Sequence, residues 1–136
     1  MASQDVSVLL KDVTIKGVVP IDKELGRGAY GKVFGVKYCG LVCAAKEIHP
    51  ILIEGVSPAE KKTIIDNFIR ECHHCSVIRH PNIVQFLGVY YSSKNSNLPI
   101  MVMELMDSSL TAFVNNNQSK ITTKTKISIL YDVSLG

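Results

Sequence analysis

Leu25-Gly26-Arg27-Gly28-Ala29-Tyr30-Gly31-Lys32-Val33 is a G-x-G-x-x-G-x-V pattern, and Cys43-Ala44-Ala45-Lys46 follows it. Glycine lacks a Cβ, so its backbone N–H groups can approach a polyphosphate closely. A lysine on a following strand can meet the same phosphates as a point charge. Together these residues point to a nucleoside triphosphate site. The glycine spacing by itself also occurs in dinucleotide-binding units, where the glycines close a strand and open a helix. Here Lys32-Val33-Phe34-Gly35-Val36-Lys37-Tyr38 alternates apolar and basic residues with period two, which is a strand pattern. A Cys39-Gly40 turn and a second β-rich run over residues 41–48 come next. The glycines therefore fall at the tip of an antiparallel hairpin, which disfavours the dinucleotide fold. An ordinary Gly-rich hairpin is the plainer alternative, and Val33 and Lys46 at these positions weigh against it.

Outward from the hairpin, residues 21–25 read as the strand before it. Residues 49–56 read as a loop containing Pro50 and Gly55. Ser57-Pro58-Ala59-Glu60 is a capping box with proline at the first helical position, so a helix is expected from there to about Val77. Ile64, Phe68, Glu71 or Cys72, and Cys75 recur on one face of it. Glu71 lies among these apolar neighbours. On charge statistics alone it reads as a solvated carboxylate at the edge of the stripe, whereas a buried or half-buried Glu71 would need a cation, for which Lys46 is the obvious partner. Arg79-His80-Pro81-Asn82 ends the helix. Residues 86–92 read as a fourth strand, 93–98 as a polar turn, and 99–105 as a fifth strand. The last is almost wholly apolar and therefore central. Asp107-Ser108-Ser109 can cap a short helix over residues 110–114. From Thr122 onward a further helix is apolar on more than one side and therefore looks buried on more than one side. The expected class is α+β: a five-stranded antiparallel sheet with one long helix, then more helices. Residues 1–16 read as a flexible leader, 17–106 as the sheet domain, and 107–136 as the start of a helical part.

The chain has 136 residues and 46% hydrophobic content, enough for one modest core. A net charge of +3, scattered lysines and no Trp give no basic stripe for nucleic acid. No apolar run reaches the length of a membrane helix, and the first residues lack a basic signal-peptide start. The expected partners therefore exclude nucleic acid and membrane, and the expected setting is cytoplasmic. Reduced thiols are then the expected state of Cys39, Cys43, Cys72 and Cys75. Cys72-His73-His74-Cys75 invites a zinc reading, but one helical turn cannot wrap four ligands round an ion. Packing cysteines beside exposed histidines is the simpler account, and no metal ligand is expected in this chain.

Taken in order, these motifs resemble the small lobe of a eukaryotic protein kinase and the start of its large lobe, over residues 18–136. Gly26, Gly28, Gly31 and Val33 are similar to the phosphate-covering loop. Cys43-Ala44-Ala45-Lys46 is similar to the V-A-I-K strand, with Cys43 in place of valine. Glu71 sits where the helix glutamate belongs. His80-Pro81-Asn82-Ile83-Val84 looks like the lead into the fourth strand, and Met101 to Met106 like the strand ending in the adenine-binding hinge. The resemblance implies ATP and Mg2+ as cofactors and a protein hydroxyl as substrate. It implies that the loop from Gly26 through Arg27, Gly28, Ala29 and Tyr30 to Gly31 covers the phosphates, with Lys46 contacting them and pairing with Glu71. Leu25, Val33 and Ala44 would form the ceiling over adenine, the Glu104 carbonyl and Met106 N–H would meet its edge, and Met103 would be the gatekeeper. The wording around Tyr30 and Glu47 looks most like tyrosine-kinase-like serine/threonine kinases.

Two departures from that pattern stand out. Cys75, one turn beyond Glu71, replaces a larger apolar residue. No H-R-D or D-F-G motif occurs within these residues, so the general base and metal ligands are expected elsewhere, and residues 1–136 alone are expected to be inactive. A pseudokinase-type ATP-binding or scaffold module is the alternative, against which Lys46 and Glu71 both argue.

Overall fold

Ser57 and Glu60 place the one long helix by local chemistry. The Glu60 carboxylate accepts the Ser57 N–H at 2.9 Å, and the Ser57 hydroxyl accepts the Glu60 N–H at 3.3 Å. This satisfies two N–H groups that a helix start otherwise leaves orphaned. Helix α1 then runs Pro58–Val77. The computed structural model describes residues 5–29 and 31–136, with Asn95 and Ser96 described by their backbone alone.

The strands are β1 (Val19–Arg27), β2 (Gly31–Tyr38), β3 (Leu41–Ile48), β4 (Phe86–Ser92) and β5 (Asn95–Glu104). They form a five-stranded sheet in the order β1-β2-β3-β5-β4, every neighbouring pair antiparallel. The α+β class read from the sequence is the class observed. Between β2 and β3 both turn residues, Cys39 and Gly40, have positive φ (50° and 77°). That is the turn whose twist matches a two-residue hairpin. The polar stretch read as a turn over residues 93–98 is largely strand, since Asn95 already pairs with Ser92. Hairpin pairing is made by backbone groups, so polar side chains on an exposed stretch do not prevent it.

Strand β5 lies inside the sheet and is apolar on both faces, as its composition predicts. On one face Ile100 and Val102 join Val36, Cys43, Ala45 and Tyr90. On the other, Met101 joins Phe68, Ile69 and Cys72 of α1. The sheet is thus packed on both sides, and α1 covers one of them.

Two expectations are corrected. Residues 1–16 are not a loosely attached leader as far as they are described. Val6–Val13 form a 3-10 helix, capped by Asp5, whose carboxylate accepts the Ser7 N–H at 3.0 Å. Leu10 is 1% exposed and packs with Val6 into the α1 cluster. Burying one leucine side chain contributes about 2 kcal/mol. The sequence hides this because Val8 and Leu9, between the two buried residues, face out. The last helix is corrected in the opposite sense. Helices α2 (Leu110–Asn116) and α3 (Thr123–Leu135) follow the sheet, and Ile127, Leu130, Tyr131 and Val133 of α3 are all exposed. Apolar residues on several sides of one helix need several partners, and the short α2 cannot cover them all.

Tyr90 is buried, yet its Oη has no hydrogen-bond partner among the described residues. An unpaired buried hydroxyl carries a desolvation cost. Tyr90→Phe is therefore expected to leave stability unchanged or to raise it by up to about 1 kcal/mol. Denaturant midpoints of the two proteins check this; a clear loss would mean that the hydroxyl is bonded in solution.

Candidate nucleotide site

Register brings the predicted residues together. Lys46 of β3 stands between Val33 of β2 and Met101 of β5, and Val33 also pairs with Gly26 of β1. Directly opposed residues of adjacent strands share a face. Lys46 therefore projects on the side of the sheet that carries α1, together with Ala44, which pairs with Met103. Alternation sends Cys43 and Ala45 to the opposite cluster.

Glu71 meets this row from the helix. The Lys46 Nζ donates to Glu71 Oε1 at 2.7 Å, across 25 residues of sequence. Phe68 and Cys72 bury the adjoining face of α1 and so aim Glu71 at the strand. The glutamate side chain is 47% exposed and the lysine 27%. Glu71 is thus at the shoulder of the apolar stripe rather than within it. A pair this open to solvent contributes about 0–1 kcal/mol. It orients the lysine far more than it stabilises the fold. Next to it, burial, then the Glu71 charge, push the Cys72 thiol up to about 12, so it stays protonated and inert.

The glycines divide into two kinds. A Cβ on Gly26 or Gly28 would meet nothing within 4 Å, so both face open space. A Cβ on Gly31 would stand 2.3 Å from the Glu47 carbonyl oxygen. Gly31 is needed so that β2 can lie against β3. The turn is closed by the Gly28 N–H donating to the Gly31 carbonyl at 2.9 Å. That bond must open before the Gly28 N–H can reach a phosphate. Tyr30 lies outside the described residues. Ala29 is exposed in the turn, and Leu25 and Val33 are half-buried on β1 and β2. Arg27 is turned back along β1 onto Glu24, Nε to Oε1 at 3.1 Å, and the arginine's hydrogen bonds hold that carboxyl below its usual range.

At the far end of β5, Met103 and Glu104 are half-buried and Met106 is exposed. The Glu104 N–H donates to the Gln85 carbonyl at 3.0 Å, and its carboxylate accepts the Gln85 N–H at 2.8 Å. Gln85 and Glu24 are the positioning partners that sequence reading missed. Neither belongs to a motif, and Gln85 meets Glu104 only through the pairing of β4 with β5. Cys72 is buried in the core and His74 is exposed on the other side of the helix. Among the described residues no three His, Cys, Asp or Glu side chains converge as a metal site would require.

The chain belongs to the protein tyrosine and serine/threonine kinase family, whose model matches residues 19–136. Among curated proteins it is 31% identical over 114 residues to the probable serine/threonine-protein kinase kinX of Dictyostelium discoideum, covering 83% of this chain and 10% of that protein. It is 36% identical over 103 residues to the probable serine/threonine-protein kinase kinY of the same organism, covering 76% of this chain and 16% of the other. With the serine/threonine-protein kinase STY17 of Arabidopsis thaliana it shares 25% over 116 residues, 85% of this chain and 19% of that one. The chain thus spans less than a fifth of the length of these relatives.

Gly31→Ala is expected to destabilise the protein by about 1–3 kcal/mol, because backbone has to move to admit the methyl group. Gly28→Ala, with open space and no positive φ, is expected to stay within about 0.5 kcal/mol of wild type. Thermal or denaturant unfolding of the two variants distinguishes them; equal losses would refute the division.

Proposed function

We propose that this chain supplies the ATP-holding half of a protein kinase that phosphorylates serine or threonine hydroxyls. The observation that carries the proposal is the Lys46–Glu71 contact of 2.7 Å, on the sheet face shared with Ala44 and Met103. The open space beside Gly26 and Gly28 leaves that backbone approachable by a triphosphate, whose charge Lys46 would meet. The serine/threonine preference rests on the names of the relatives. A tyrosine-kinase-like affinity and a cytoplasmic setting belong to the same proposal. No helix among the described residues is long and apolar enough to cross a membrane, and the four cysteines are free.

In the proposed reaction the substrate oxygen forms a bond to the γ-phosphorus and the bond to the β–γ bridging oxygen breaks, so ADP leaves. The contribution of this chain is to orient and neutralise. Glu71 holds the Lys46 ammonium in place, and Lys46 draws charge from the phosphates as it shifts toward the leaving group. Glu104 and Met106 backbone groups would align the adenine edge, with Gln85 holding Glu104 in position. Mg2+, when bound with ATP, would supply neutralisation of phosphate charge; no residue of this chain is assigned to hold it. The base that receives the hydroxyl proton is likewise assigned to none of these residues.

In the full-length protein, Lys46→Met is expected to lower turnover by about 10²–10³-fold while circular dichroism stays unchanged. Phosphoamino-acid analysis of the product should give phosphoserine or phosphothreonine. Near wild-type turnover by a folded variant would remove Lys46 from the site, and a wild-type protein that binds ATP without transfer would support the pseudokinase alternative. Residues 1–136 by themselves, given Mg-ATP and a basic test protein, are expected to incorporate no more phosphate than their Lys46→Met control.

A further inference from the structure

Helix α1 carries Glu71, and its packing is more extensive against the N-terminal 3-10 helix than against β4 or β5. Leu10 and Val6 of that 3-10 helix share one cluster with Phe68, Ile69 and Cys72 of α1. At 100° per residue, Ile65 and Ile69 flank one edge of the α1 apolar stripe and Glu71 the other. The sheet supports α1 from beneath through Met101 and Val89, in the same cluster. The N-terminal segment is itself anchored. The Thr14 hydroxyl donates to the Leu10 carbonyl at 2.8 Å. The Ile15 N–H donates to the Val89 carbonyl at 2.8 Å, and Thr14 forms a parallel bridge with Val89. Ile15 sits in the space left by Gly88, where a Cβ would stand 2.5 Å from its Cγ2. Gly88 is thus a notch fitted to this segment. The segment lies before residue 19, where the family match begins.

The exposed ion pair is too weak to hold a helix in place by itself. We propose that the N-terminal segment is a positioning element for phosphoryl transfer: Leu10, with Ile15 seated on Gly88, holds α1 against the sheet and thereby keeps Glu71 on Lys46. Its activity readout rests on the kinase reading above; its structural readout does not. Displacing the segment would free α1 to swing from the sheet, and the carboxylate would leave the lysine before the strands themselves were disturbed.

The test compares Leu10→Ser, Leu10→Ile and Gly88→Ala in the full-length protein, each with and without Glu71→Gln. If the segment acts through Glu71, Leu10→Ser lowers kcat by roughly 10–10²-fold, and Leu10→Ile restores most of it. Leu10→Ser then causes no further loss in the Glu71→Gln background, since the losses share one route. Losses that multiply, or a folded Leu10→Ser variant with wild-type turnover, overturn the proposal. Should Leu10→Ser fail to fold, Gly88→Ala makes the same comparison without touching a core side chain. Hydrogen exchange is read in parallel. The α1 amides of residues 72–77 are expected to exchange faster in the variants while those of β5 do not change. If wild type transfers no phosphate, the kinase reading fails and exchange alone decides; unchanged α1 protection in both variants then overturns the proposal.

Discussion

Lys46 stands between Val33 and Met101 in the interior of the sheet, and the site depends on that register. A slip of one residue would turn Lys46 to the opposite face and bring Ala45 round to face α1. The register is protected because β3 and β5 are covered on both sides. Ala45 and Val102 are fully buried on one side, and Met101 is buried against α1 on the other. A charge on an interior strand is acceptable here because its ammonium emerges where α1 offers a carboxylate.

Strength and specificity reside in different contacts. The bonds that define the site are weak in stability: an exposed ion pair, a turn closed by one hydrogen bond, and a strand end tied to Gln85. The contacts that hold these groups in place are apolar and remote from them. Phe68, Ile69 and Cys72 lock α1, and Leu10 covers it. In the proposed nucleotide site this separation would let the polar groups change partners while the apolar scaffold stays put. Gly31 belongs to the scaffold and Gly28 to the adaptable part, although one motif contains both.

The helices after β5 are attached more lightly. The Asn82 side chain donates to the Asp132 carbonyl at 2.9 Å, with the Asn82 N–H bonded to His80 Nδ1 at 3.0 Å. A polar link of this kind fixes where α3 starts its contact with the sheet domain. It leaves most of the apolar surface of α3 exposed, as Leu130 at 67% illustrates. Exposed apolar patches of this kind favour association with further surface.

Sequence alone determined the strands, the long helix and the motif residues. Period-two alternation, a capping box and glycine spacing are local codes, and each acts within a few residues. It also offered Lys46 and Glu71 as partners, through the order of the motifs, but left open a solvated Glu71 at the edge of the apolar stripe; the structure makes the contact. Only the tertiary structure decided how far Glu71 is buried, that Gly31 serves strand packing, that Gln85 anchors Glu104, and that residues 6–15 belong to the fold. Those four depend on residues far apart in the chain, whose contacts arise when strands pair and α1 docks. No local pattern encodes them: Leu10 is an ordinary leucine in sequence, and it becomes a core residue only because Phe68, Ile69 and Cys72 come to lie beside it.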